Sequence, residues 1–315
     1  MILEGLIQCL GDRVSSVEEE TFDLFSQDIP SQNLGFIDPK SQTLEITVAG
    51  HDLTIHQSPA ILSSNRSGGT TGAVVWKITP VFADWIGRPD NILFRNGILT
   101  PQSAVVELGC GISAVVGLLL APKISSYVLT DQPYVSRLVA QNIEENRDAL
   151  TRKHVGAGKG AKSSRSSRSS RRVRGGVSEA SRTPPSSGGL SFRPLDWETD
   201  TVTSSLTGSE TLRSFDAVLC CDCIYNEALV EPLVQTCADI CSLRAGDGRD
   251  EEAVPCVCIV AQQLRDSDVF EAWLTRFARQ FDVWRVPDSQ LVRGLRSNSG
   301  FAVHIGVLKG CWESI

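Results

Sequence analysis

The sequence predicts an α/β protein built on a doubly wound, mostly parallel seven-stranded sheet, and three observations carry that prediction. Short, continuous apolar runs such as "AVVEL" and "FDAVLCC" alternate with longer amphipathic stretches from residue 73 onward. Strands buried on both faces and covered by helices read this way. A glycine turn, "ELGCGIS", directly follows the first of these runs and opens an apolar helical stretch. The last two runs, 281–287 and 301–308, leave no room between them for a crossover helix, so they should pair antiparallel at one edge.

Taken in order, residues 1–71 form an N-terminal extension. Its recognisable unit is "QTLEITVAGHDLTIHQSP", two alternating runs about "AGHD" that read as a β-hairpin. "SSNRSGGTTG" reads as a flexible connection to a domain occupying 72–315. Within that domain the pattern predicts helix 73–86, strand 104–109, helix 113–121, strand 127–131 and helix 133–149. Strands 191–197 and 215–222 follow, then helix 227–242, strand 256–264, helix 268–279 and the two closing strands. Residues 151–190 interrupt this pattern with "SSRSSRSSRRVRGG" and similar Ser-, Arg- and Gly-rich sequence. Such a stretch cannot bury enough apolar surface to offset its ordering entropy, so it is expected to be a disordered surface insertion.

Composition narrows the class. Hydrophobic content is 41% and charged content 21% of 315 residues, values of a soluble globular protein. No apolar run approaches the ~18 residues of a membrane span. "MILEGLIQCLGDR" has no basic n-region, so no secretory signal is expected. Ten cysteines lie mostly in apolar runs, which reads as reduced thiols in a cytoplasmic protein with nuclear access. Residues 151–191 hold ten Lys and Arg against one acid, Glu179, leaving 20 basic and 36 acidic residues elsewhere. An acidic body suits a basic protein partner, and the basic insert suits contact with RNA.

The glycine turn carries the first chemistry. Gly109 and Gly111 permit a tight turn and a close ligand approach, and the helix that follows offers backbone N–H groups. As G-x-G-x-x-A, with Ala114 third, the pattern fits a dinucleotide as well as an S-adenosylmethionine site. Glu107, two residues before Gly109, would oppose a pyrophosphate but suits an α-ammonium and a sulfonium. Asp131, ending "YVLTD", is placed to accept hydrogen bonds from ribose hydroxyls with either cofactor. The stretch "CCDCIYNE" ends the fourth strand, where the strand order of an open sheet reverses and ligands bind. Its cysteines are i, i+2 neighbours, unlike the x₂–x₄ loop spacing of zinc sites, so no metal is expected.

Five motifs in order, "TGAVVWKITPVFADWI", "VVELGCGISAVVG", "YVLTDQPYVSRLVAQNIEEN", "LDW" and "DCIYNEALVEPLV", resemble the methyltransferase-like 21 group of seven-β-strand protein methyltransferases. The resemblance implies a Rossmann-like class I fold, S-adenosylmethionine as cofactor and lysine N-methylation of a ribosomal protein of the large subunit by a monomeric enzyme. It implies that Trp76 packs near the cofactor and that Gly109, Cys110 and Gly111 line its methionyl part. Asp131 would hold the ribose, Trp197 flank the adenine and Cys221 touch the ligand through its backbone. The Asp-x-x-Tyr signature stands as Asp222-Cys223-Ile224-Tyr225. Asp222 is expected to receive and aim the incoming ammonium, with Tyr225 beside it.

Overall fold

The computed structural model describes residues 2–30, 34–65, 69–151, 189–244 and 254–311; the side chains of 148–151 are not described. Most of the basic insert therefore lies outside the described residues.

A two-stranded antiparallel sheet pairs β1 (Thr43–Val48) with β2 (His51–His56), as the alternating runs predict. The seven-stranded sheet comprises β3 (Ala104–Leu108), β4 (Ser126–Asp131), β5 (Gly189–Pro194), β6 (Ala217–Cys221), β7 (Val257–Gln263), β8 (Phe281–Arg285) and β9 (Phe301–Leu308). Their order is β5-β4-β3-β6-β7-β9-β8. β3 to β7 run parallel, and β9 is antiparallel to both neighbours. The closing strands pair antiparallel as expected, with the refinement that β9 inserts between β7 and β8. The order turns back between β3 and β6, which places the switch point above their carboxyl ends.

Helices cover both faces of the sheet, giving two separate apolar clusters. α4 (Ile78–Ile86), the short α5 (Ile92–Arg95), α6 (Val115–Leu120) and α7 (Ser136–Thr151) contribute to one face, and the single-turn α3 (Pro59–Leu62) follows the hairpin. α8 (Val230–Ser242) and α9 (Ser267–Gln280) cover the other. Every residue of β3, β6 and β7 is buried, the physical reason their sequences are apolar apart from Glu107 and the two glutamines that end β7.

Three expectations are corrected. The N-terminal extension holds two unforeseen helices, α1 (Ile2–Leu10) and α2 (Val17–Phe25). The signal for α2 was present: Ser16 caps it, its hydroxyl accepting from Glu19 N at 3.1 Å, and "SVEE" has the capping-box spacing. α2 is tied to the sheet by Glu20, whose carboxylate meets the buried His304 Nε2 of β9 at 2.8 Å.

The helix expected over 73–86 begins only at Ile78. Residues 74–76 are extended instead: Ile37 N donates to Val75 O and Lys77 N to Gly35 O, bracketing a bridge between Phe36 and Trp76. A pairing nearly forty residues away overrides local helical periodicity. Lastly, the end of the connection expected to be flexible is a structured turn at 70–72, where Gly72 O accepts from Ile112 N at 2.9 Å; residues 66–68 of that connection lie outside the described residues.

The hairpin is fastened to α7 through two asparagines. Asn142 accepts from His56 N and donates to His56 O and Ile112 O, all within 2.9 Å. One helical turn on, Asn146 repeats the pattern with Thr54 N and O. The side-chain amides act as a further rung on the outer edge of β2.

Candidate active site

All ten residues singled out from the sequence line one cleft of about 460 Å³ at the carboxyl ends of β3, β4 and β6. Its floor is the glycine turn. Gly109 and Gly111 both have positive φ, +67° and +58°. A Cβ on Gly109 would lie 2.8 Å from Cys223 Sγ and 3.2 Å from the Trp197 ring, so a side chain there would collide with the wall. Gly111 backs onto Gly72 O, with 3.1 Å to a built Cβ.

Three amides of this turn are already engaged. Cys110 N donates to Thr130 O, Gly111 N to Asp131 Oδ2 at 2.8 Å and Ile112 N to Gly72 O. α6 is preceded by a left-handed Ala114 and has only six residues. A phosphate would find these donors engaged, while two carboxylates face the same cleft.

Those carboxylates are Glu107 and Asp131. Glu107 is 2% exposed and accepts from the Tyr127 hydroxyl at 2.6 Å. Burial raises its pKa to about 7, the tyrosine bond opposes this and the Asp131 charge adds to it. Burial also raises Asp131 to about 6, against the pull of the Gly111 and Gln132 amides. Each anion is held at an electrostatic disadvantage that a nearby cation would relieve.

Trp197 follows β5, and its Nε1 is buried without a hydrogen-bond partner. That orphaned donor, the closely fitted Gly109 and the two strained carboxylates fit a cationic nucleoside-bearing ligand such as S-adenosylmethionine. Glu107 suits its cationic methionyl end, Asp131 its ribose and Trp197 its base.

The other wall holds the Asp-x-x-Tyr segment. Asp222, directly after β6, has φ +62°, and its side chain is buried in the cleft lining. Arg265 grips both oxygens at 2.7 and 2.6 Å, and Gln263 N adds a bond at 3.2 Å. An ammonium expected at Asp222 would meet a carboxylate already paired with Arg265, with three of its roughly four acceptor positions taken. The Arg265 guanidinium also lies 4.9 Å from the Trp76 ring centroid.

Trp76 packs against Phe36, the rings tilted by 44° with centroids 4.5 Å apart, and donates from Nε1 to Thr71 O. Tyr225 is 39% exposed at the mouth, its hydroxyl accepting from Thr71 Oγ1 at 3.1 Å. Arg265, Thr71 and Gly72 were missed. Only the "GGTTG" stretch offered a signal, as a glycine-rich turn.

Cys110 and Cys221 are buried, and burial pushes both thiols well above their ordinary pKa. Elsewhere the sulfurs of Cys220, Cys237 and Cys258 lie within 4.8 Å of one another. They come from β6, α8 and β7 and sit in the apolar core, each no more than 2% exposed. Three thiolates around one ion would bury net negative charge there, so we read the trio as packing.

A doubly wound sheet with an acid-lined glycine cleft at its switch point defines a class of ligand-binding α/β protein, and comparison with known proteins gives the family. The family model described as "Lysine methyltransferase" matches residues 55–158 and 181–253. The chain belongs to that family, and its methyl donor is S-adenosylmethionine.

Among similar proteins, "Ribosomal lysine N-methyltransferase 5" of Zygosaccharomyces rouxii is 30% identical over 74% of this chain and 72% of its own length. The protein of the same name from Lachancea thermotolerans is 26% identical over 91% and 93%. A Schizosaccharomyces pombe protein named "Diaminohydroxyphosphoribosylamino-pyrimidine deaminase" is 28% identical over 86% of this chain. The chain spans about half of that protein, 53% of its length.

Proposed function

We propose that the protein methylates a lysine ε-amine in a ribosomal protein of the large subunit. The observation that carries this reading is the single cleft in which Glu107, Asp131, Trp197 and Tyr225 converge. The names of the relatives support the ribosomal acceptor. Bound S-adenosylmethionine supplies an electrophilic methyl group on a sulfonium.

The chain's own residues do the rest. Glu107 and Asp131 hold the donor by its charge and ribose, and Trp197 covers its base. The acceptor must arrive as a neutral amine. With a free lysine pKa of ~10.4, about one in 2,500 is neutral at pH 7, a handicap of roughly 4.6 kcal/mol. Desolvation between Trp76 and Tyr225 lowers that pKa. Tyr225, steadied by Thr71, gives the amine a hydroxyl to hydrogen-bond and a ring to face. Alignment supplies much of the acceleration.

The acidic body steers a basic protein toward the cleft, and the basic stretch 151–190 contacts ribosomal RNA in this reading. The enzyme acts as a monomer in the cytoplasm.

The test incubates the full chain with isotopically labelled donor and separated ribosomal subunits, then maps the label by mass spectrometry. Label on a lysine of one large-subunit protein is expected. Label confined to non-ribosomal proteins, or to residues other than lysine, refutes the reading.

A further inference from the structure

Arg265 has no part in the chemistry described so far, yet it joins the two walls of the acceptor side. Its guanidinium fork donates to both oxygens of Asp222 and lies over Trp76. A third bond runs to Gln263 Oε1 at 3.0 Å. Gly35 closes over this group: a Cβ there would fall 2.2 Å from Gln263 Oε1 and 2.7 Å from Arg265 Nη2. The Asp222 side chain is 1% exposed and that of Arg265 22%, so the pair is largely shielded from screening by water.

The electrostatic consequence bears on the acceptor. An anion beside an amine stabilises the ammonium and raises its pKa, the wrong direction for methyl transfer. Among the described residues, the ionisable groups that pair with Asp222 or share its cleft are Arg265 after β7, Cys221, Cys223 and Tyr225 on its own segment, and Glu107, Cys110, Asp131, Tyr134, Asp196 and Glu198 across the cleft. Of these, Arg265 is the cation.

We propose that Arg265 is a positioning residue for the methyl acceptor: by pairing with Asp222 it cancels the charge that would trap an entering lysine as its ammonium, and it fixes the Trp76 wall along which the neutral amine slides. The proposal rests on a lysine amine entering beside Tyr225, and on nothing about which protein carries that lysine. Arg265 acts through Asp222 and Trp76, without touching the reacting atoms.

The test uses n-butylamine, the lysine side chain without its backbone, titrated into the full chain in the presence of S-adenosylhomocysteine. Bound amine is followed by NMR from pH 7 to 9.5. In the natural protein, affinity for total amine should climb about tenfold per pH unit, because only the neutral form is accepted. Arg265→Gln should bind more tightly at pH 7 and lose most of that slope, since the unpaired carboxylate now welcomes the ammonium. Adding Asp222→Asn to Arg265→Gln should restore the slope, and Arg265→Lys, which keeps the charge, should retain it.

An unchanged slope in Arg265→Gln overturns the proposal. So does a flat dependence, or no amine binding at pH 9.5, in the natural protein, a result that stands even if Arg265→Gln does not fold. A failure of the ribosomal substrate is read separately, because the probe contains no ribosomal component.

Discussion

Replacing Glu107 by Gln tests the electrostatics on which donor binding is argued. The carboxyl has an ordinary pKa of 4.5 and one of about 7 in the fold. Because the folded value is the higher one, the native state binds the extra proton. The stabilisation is complete below 4.5 and is lost as pH rises through 7. Two and a half pH units at 1.36 kcal/mol each give about 3 kcal/mol. Gln keeps an acceptor for the Tyr127 hydroxyl but buries an amide donor without an assigned partner, a penalty of about 1–3 kcal/mol that does not vary with pH.

The diagnostic quantity is therefore the pH dependence of the difference between the two proteins. Urea denaturation of donor-free protein at pH 5, 6, 7 and 8 should show Glu107→Gln gaining about 2–3 kcal/mol on the natural protein across this window, with Asp131 contributing similarly to both. Calorimetry at pH 6 should show the natural protein releasing a proton on donor binding, and Glu107→Gln releasing less. A difference in stability that stays constant from pH 5 to 8 refutes the reasoning.

Three further outcomes are expected. Trp197→Ala should weaken donor binding by about 1–3 kcal/mol, the scale of base stacking on an aromatic ring, measurable by calorimetry with S-adenosylhomocysteine. Tyr225→Phe removes the hydroxyl that Thr71 steadies; single-turnover methyl transfer should fall about tenfold or more, with donor affinity unchanged. Asn142→Ala orphans buried backbone groups of His56 and Ile112 and should cost about 2–4 kcal/mol in chemical denaturation.

Where the chain forms continuous buried strands, the sequence was legible, because β3, β6 and β7 are apolar at every position but Glu107 and the polar end of β7. Glu107 stood out for that reason: a charge in such a run needs a function or a partner. The glycine turn and the Asp-x-x-Tyr segment were legible as breaks in apolar pattern. The pairing of Phe36 with Trp76 was not, since neither segment has enough length to show strand periodicity. Arg265 was hidden for a different cause. Its partner lies 43 residues away, across adjacent parallel strands, and nothing in local spacing marks an ion pair formed by sheet register. The same register pairs Asp222 with that cation.

The two asparagine amides of α7 leave one last consequence. They terminate a small sheet by occupying its valences, where many proteins rely on repelling charge or proline. Without Asn142, the His56 segment would present a bare donor and acceptor to any extended chain that drifted by. The damage from Asn142→Ala should then show as concentration-dependent association of partly opened molecules before any loss of the methyl-transfer cleft, making this helix the guard of the protein's solubility.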